Sequence, residues 1–438
     1  MDASAAVNDS RRRDELNVTL PDSARASLEF EESQWATGSV LDDSFYTVLP
    51  SSKDAAPGTL IKLEREVDST LFTIPPATAL SRFIFQSKAL NGSAVPVSGF
   101  ILWPYSPRNL SDGFSIVAWA HGTSGLSPNC APSHLKHLWQ HFLGPYQSAL
   151  QGYVVIAVDY AGLGVERDAS GKRIVHEYLA SPSHANDVFY GVQAAKSAFP
   201  ELSNKFVIIG HSQGGGAAWA AAQRQALDPV EGYLGAVAVA PVTDPLAEPD
   251  PIRSFLAVGM IPGIAATFPE FQPGDILTPE GEERLDLILQ VGACTTTTLT
   301  LLAGVQLLKP DWTANRYVQE YQKLTVNGGK KIEGPLLIMH GETDTSLSVE
   351  VSTQAVNETL EQFPSSQLDF VRLPGISHVP ALTASQRLWM DWIGDRFAGL
   401  EVHPRHNGTI LTSARPVSAY QPELNWYIER ATQFYQTR

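Results

Sequence analysis

The chain has 438 residues, 43% of them hydrophobic and 18% charged, and a formal net charge of −15. That composition suits a large folded chain rather than a disordered one, and it leaves no surplus of Lys and Arg to neutralise phosphates, which excludes nucleic acid as a partner. No run of about 18 apolar residues occurs, so no membrane-spanning helix is expected.

Residues 1–45 are polar and charged without clear periodicity and read as an N-terminal tail, with Arg11, Arg12 and Arg13 as a solvated run. Strand-like runs begin at Ala56–Glu64 and continue at Ser81–Gln86 and Val95–Pro104. Four unbroken apolar runs follow, at Phe114–Gly122, Tyr153–Tyr160, Phe206–Ser212 and Leu234–Pro241. Runs without polar alternation suit parallel strands covered by helices on both faces. Between them, His184–Ala198 and Gly215–Ala226 read as helices. The alternation stops near Asp244, and residues 245–330 hold apolar helical pieces such as Phe255–Phe268 and Leu299–Leu308. It resumes with Gly334–Asp344, Leu368–His378 and a helix from about Ala384 to Phe397, while 401–438 read as a C-terminal tail. The expected fold is therefore α/β: a mostly parallel sheet built from 46–244 and 331–400, with a helical cap inserted at 245–330. Ligands of such sheets bind outside the carboxyl ends of the strands.

The chemistry is concentrated at Gly210-His211-Ser212-Gln213-Gly214, which follows a strand and precedes an alanine-rich helix. In that context G-x-S-x-G is a nucleophile elbow, a sharp turn that exposes a serine hydroxyl at the top of the sheet. Serine needs a base, and the base needs an orienting acid. Asp344 lies on the loop after the strand Pro335–His340, with Glu342 as the fallback acid. His378 lies in the loop before the last helix. His340 precedes the acid within a strand, and His403 and His406 lie in the tail, which leaves His378 as the base. The N–H of Gln213 and Thr123 of His121-Gly122-Thr123-Ser124-Gly125 are the candidate donors to an oxyanion. His121 and Asp159 read as structural. There is no H-E-x-x-H, cysteine–histidine cluster or phosphate loop, so neither metal nor other cofactor is expected.

Six of twelve asparagines stand in Asn-x-Ser/Thr, at Asn8, Asn17, Asn91, Asn109, Asn357 and Asn407, where composition gives roughly two. The two cysteines, Cys130 and Cys294, are either one disulfide or two buried thiols. The first thirty residues carry no signal-peptide core, which read alone means cytoplasmic. The sequons and cysteines point instead to secretion with the leader absent from this numbering.

With the segments APGTLIKL, HGTSGLSPNCAPS, VVIAVDYAGLG, GHSQGGGAAW, HGETD and PGISH in view, residues 56–400 resemble the fungal and bacterial secretory lipases, a branch of the α/β-hydrolases. The resemblance implies Ser212, Asp344 and His378 as triad, an oxyanion site at Thr123 where some relatives carry aspartate, and a cap-to-core disulfide between Cys130 and Cys294. The resulting expectation is a serine carboxylic-ester hydrolase acting on a small-molecule or lipid ester, with transient lipid contact through the cap. The alternatives are a deacetylase of a fungal secondary metabolite, an acyltransferase and a serine peptidase.

Overall fold

Side-chain alternation along each strand, with burial on both faces, sets the layers of the molecule. The computed structural model describes residues 20–139, 144–402, 404 and 408–421. Its strands are β1 (Leu60–Glu64), β2 (Thr78–Lys88), β3 (Ala94–Pro104), β4 (Asn109–Leu110), β5 (Gly113–Ala120), β6 (Val154–Val158), β7 (Leu202–His211), β8 (Tyr233–Val239), β9 (Leu336–Gly341), β10 (Leu368–Leu373) and β11 (Thr409–Ile410). They form one sheet in the order β1-β2-β3-β6-β5-β7-β8-β9-β10-β11, with β4 paired to β5. The pairings from β1 to β6 are antiparallel and those from β6 through β11 are parallel.

Successive residues of β5 point to opposite faces: Ile116, Ala118 and Ala120 join one hydrophobic cluster, Val117 and Trp119 the other. After α1 (Asp22–Ser33) and α2 (Pro145–Leu150), the chain forms α3 (Ser181–Ala198) and α4 (Gln213–Leu227). The last two cover the first face through Val188, Phe189, Ala217 and Trp219. Among the described residues three α-helices follow β9, namely α9 (Val349–Gln362) after the cap, then α10 (Pro380–Ala384) and α11 (Gln386–Phe397). Trp389 and Ile393 of α11 are fully buried against the second face, a burial that stabilises by about 2–3 kcal/mol each.

The cap consists of α5 (Ile252–Thr267), α6 (Pro279–Val291), α7 (Thr295–Leu302) and α8 (Arg316–Thr325), packed around a hydrophobic cluster of its own. Its helix ends follow local chemistry. Thr278 caps α6 by accepting from the Gly281 N–H, Gly292 closes it in the left-handed region at φ 68°, and the Asn315 side chain caps α8.

One stretch departs from expectation. Within the presumed tail, α1 packs on the cap, burying Ala24, Ser27, Leu28 and Glu31. Those residues are spaced i, i+3, i+4, i+7, a helical face, but two of the four are polar and dilute the hydrophobic signal. At the other end β11 adds to β10, with Val371 opposite Thr409 and Arg372 opposite Ile410.

Candidate active site

Strand β7 runs into α4 with a single residue between them, Ser212, at φ 58° and ψ −119°. A non-glycine residue in that region costs about 1–3 kcal/mol and persists only where its surroundings hold it. Here the Ser212 N–H donates to the Val239 carbonyl at 3.0 Å, and its carbonyl accepts from the N–H groups of Gly216 and Val242, each at 3.1 Å. The flanking glycines are sterically required. A Cβ on Gly214 would lie 1.9 Å from the Ala120 carbonyl oxygen, and one on Gly210 would lie 2.0 Å from that of Gly214. Strand and helix approach so closely that only hydrogen fits.

Asp344 follows β9, with its side chain sealed from solvent. Oδ1 accepts from the N–H groups of Ser346 and Leu347 at 2.8 and 2.9 Å. Oδ2 faces His378 Nδ1 at 2.7 Å and His340 Nε2 at 3.1 Å. Burial by itself raises the carboxyl's pKa; the hydrogen bonds from His340 and His378 outweigh it and hold the group well below the usual carboxylate range. The tautomer of His340 follows from its partners. Nε2 faces only acceptors, Asp344 and the Leu347 carbonyl, so it carries the proton, and Nδ1 accepts from the Ser352 hydroxyl at 3.0 Å.

His378 comes from the loop after β10, and its Nδ1 contact with Asp344 leaves Nε2 for other work. Its loop is tied back to the elbow, since His211 Nε2 donates to the His378 carbonyl at 3.2 Å and the two rings lie 4.6 Å apart. Burial first, then the neighbouring His378, lowers the His211 pKa to about 3, so that ring is a neutral donor.

Ser212, His378 and Thr123 all line one cavity of about 1170 Å³ between the sheet and the cap. The cap contributes Phe255, Leu256, Leu299, Leu302 and Leu308 to its wall, while Val258, Ile261 and Ile264 face the cap's interior. The two apolar pieces thus divide between lining and packing. Gln213 opens α4, whose first N–H groups have no carbonyl partner within the helix, and its side-chain amide donates to His176 Nε2 at 3.2 Å. Thr123 Oγ1 lies 3.0 Å from the Tyr178 hydroxyl, and the Thr123 carbonyl accepts from Thr295 Oγ1 at 3.0 Å.

Cys130 and Cys294 form a disulfide with a Cα–Cα distance of 5.4 Å, joining the loop after β5 to the start of α7. Glu31 of α1, buried, accepts there from the N–H groups of Cys294 and Thr297 and from the Thr297 hydroxyl, at 3.0, 2.9 and 2.8 Å. Glu248, at the base of the cap and 2% exposed, accepts from the Ser348 N–H at 2.8 Å. Its carboxyl is pushed up to about 7 by burial, with the like charges of Asp344, Asp244 and Glu350 adding to the shift.

The remaining sequence candidates separate from the site. Glu342 pairs with Arg372 at 3.1 Å. Asp159 is buried beneath Ser98 and Ser133, accepting from both hydroxyls. His121 is buried in the core, with Nδ1 and Nε2 facing the backbone carbonyls of Gly122 and Asp159 at 2.6 and 3.1 Å. Asn91, Asn109 and Asn357 are exposed, whereas Asn8, Asn17, Asn407, His403 and His406 lie outside the described residues. Sequence reasoning missed His340 as a second partner of Asp344; the signal available was its i, i+4 spacing to that acid. Tyr178, Glu31 and Glu248 had no local signal at all.

A parallel sheet with its antiparallel leading edge, a strained serine between strand and helix, and an acid and a histidine delivered by the next strand ends together define an α/β hydrolase. The chain belongs to the alpha/beta hydrolase family, whose model matches residues 117–389. No curated protein sequence matched. Among solved structures the chain is similar to lipase A of Candida antarctica in its closed state, with TM-score 0.70 and 17% identity over 86% of this chain and 91% of that one. It is also similar to the rice cell wall degrading esterase LipA of Xanthomonas oryzae, with TM-score 0.61 and 18% identity over 78% and 98%. A third similar structure is a hydrolase of Legionella pneumophila described as putative, with TM-score 0.61 and 15% identity over 78% and 97%.

Proposed function

We propose that the protein is a serine carboxylic-ester hydrolase of the secretory lipase type. Ser212 attacks the ester carbonyl while His378 Nε2 takes its proton. The tetrahedral oxyanion is held by the Gln213 N–H and by Thr123. His378 then returns the proton to the leaving alcohol, and water, activated by the same imidazole, releases the acid and regenerates Ser212. Asp344 stabilises the imidazolium formed in each half-reaction and fixes the ring tautomer, a role whose loss typically costs about 10⁴ in rate. The observation that carries this reading is the opening of a strained serine and an Asp344-held histidine into one cavity. The apolar cap wall suits an ester with a sizeable hydrocarbon part and an occasional contact with a lipid surface.

The disulfide and the exposed sequons at Asn91, Asn109 and Asn357 support a secreted glycoprotein; a mass loss on enzymatic deglycosylation of the natively secreted protein tests that. For the chemistry, intact mass after a fluorophosphonate probe is expected to show one adduct, absent in Ser212→Ala. A chain-length series of nitrophenyl esters, run beside aminoacyl anilides, separates esterase from peptidase: turnover of anilides but not esters rejects the proposal.

A further inference from the structure

Thr123 and Tyr178 present a small proton-counting problem. Their hydroxyl oxygens are 3.0 Å apart, and both side chains line the cavity that Ser212 and His378 line. Each hydroxyl carries one proton, and the bond between them uses one of the two. One O–H is left over in the cavity that Ser212 and His378 line.

The surroundings decide which one. Tyr178 is 2% exposed, and α5 lies directly on its ring: a Cβ on Gly259 would come within 2.6 Å of Cδ1. The phenol cannot swing away. Burial pushes its pKa up to about 12, against a smaller lowering by Thr123, so it keeps its proton. A phenol is a stronger donor than an aliphatic alcohol, which is the better acceptor. The Thr123 backbone is fixed too, through the hydrogen bond from Thr295 Oγ1 to its carbonyl.

We propose that Tyr178 donates to Thr123 Oγ1 and thereby aims the Thr123 O–H into the cavity as a donor to the tetrahedral oxyanion, which makes Tyr178 a positioning residue of the oxyanion site. The proposal rests on the serine-hydrolase reading of the same cavity. Its physical content is preorganisation: a free threonine rotor must be ordered as charge develops on the oxygen, whereas one held by a buried phenol is already pointed.

The test is a set of variants assayed on a soluble nitrophenyl ester, with thermal melts as a folding control. Thr123→Val keeps the shape and removes the donor; it is expected to lower kcat and kcat/KM alike by about 10²-fold. Tyr178→Phe keeps the ring and is expected to lower kcat about tenfold with KM little changed. Thr123→Ser restores the donor and stays within about threefold of wild type. The double variant Tyr178→Phe/Thr123→Val is expected to be no slower than Thr123→Val alone, because the tyrosine acts only through the threonine. Wild-type kcat in Tyr178→Phe, or multiplied losses in the double variant, overturns the proposal. Should Tyr178→Phe not fold, equal activity of Thr123→Val and Thr123→Ser overturns it. Ser212→Ala separates the two levels: full activity there sinks the hydrolase reading itself, while an inactive Ser212→Ala beside an unaffected Tyr178→Phe sinks only the role of the tyrosine.

Discussion

Asp344 and Glu248 are neighbouring buried carboxylates with opposite responses to pH. Asp344 accepts four hydrogen bonds and has its pKa held down. It therefore contributes stability above its unfolded value near 3.8, lost as pH falls through the lower folded value. Glu248 has its pKa raised from 4.5 to about 7. Its folded form binds the proton more tightly than its unfolded form, so ionisation costs stability as pH rises between those values. Glu248→Gln still accepts from the Ser348 N–H and has nothing to ionise. It should be no more stable than wild type near pH 4.5 and more stable by on the order of 2 kcal/mol near pH 8.5, read by denaturant unfolding at both. An equal difference at the two pH values refutes this. At this scale the sequence speaks through local grammar. Ser212, Asp344 and His378 each follow a strand end that is visible as an apolar run, and Gly210 and Gly214 flank the serine at fixed offsets. Tyr178 and Glu248 were not legible, because their roles depend on which side chains meet across distant segments, and His340 was marked only by its i, i+4 spacing to Asp344.

Helix α7 is eight residues long, too short to hold together by its own hydrogen bonds. Its start is held from outside, by the Glu31 carboxylate accepting from two of its first N–H groups and a hydroxyl, and by Thr295 N–H donating to Ser124 O at 3.0 Å. A buried anion at a helix N-terminus is favoured by both the open donors and the helix dipole. Glu31→Ala strands those donors without solvent. It is expected to cost about 2–3 kcal/mol and to open the segment around residues 295–310 to limited proteolysis; a cleavage pattern and melting point like those of wild type would count against this anchoring role. Among the elements, the buried strands and α3, α4 and α11 were legible because uninterrupted apolar runs or helical spacing mark them. α1 was not, since half of its buried face is Ser27 and Glu31, polar residues whose burial makes sense only once α7 is seen beside them.

Across the whole molecule, the cap returns to the core at two levels. Its own apolar cluster is continuous with α1 and with Tyr178, Leu179 and Ala180, and the Cys130–Cys294 bond spans 164 residues of chain. Closing so long a loop removes unfolded-state freedom. Cys294→Ser is therefore expected to lower stability by about 2–5 kcal/mol, measured by denaturant unfolding against the oxidised wild type, and an unchanged midpoint contradicts it. The order of strands and helices was readable because α/β chains lay their elements down in sequence. How the inserted helices fold back was not, since no periodicity encodes it. The double anchoring of α7 has a further consequence for traffic. A cavity wall riveted at one end by sulfur and by a buried carboxylate makes a poor door.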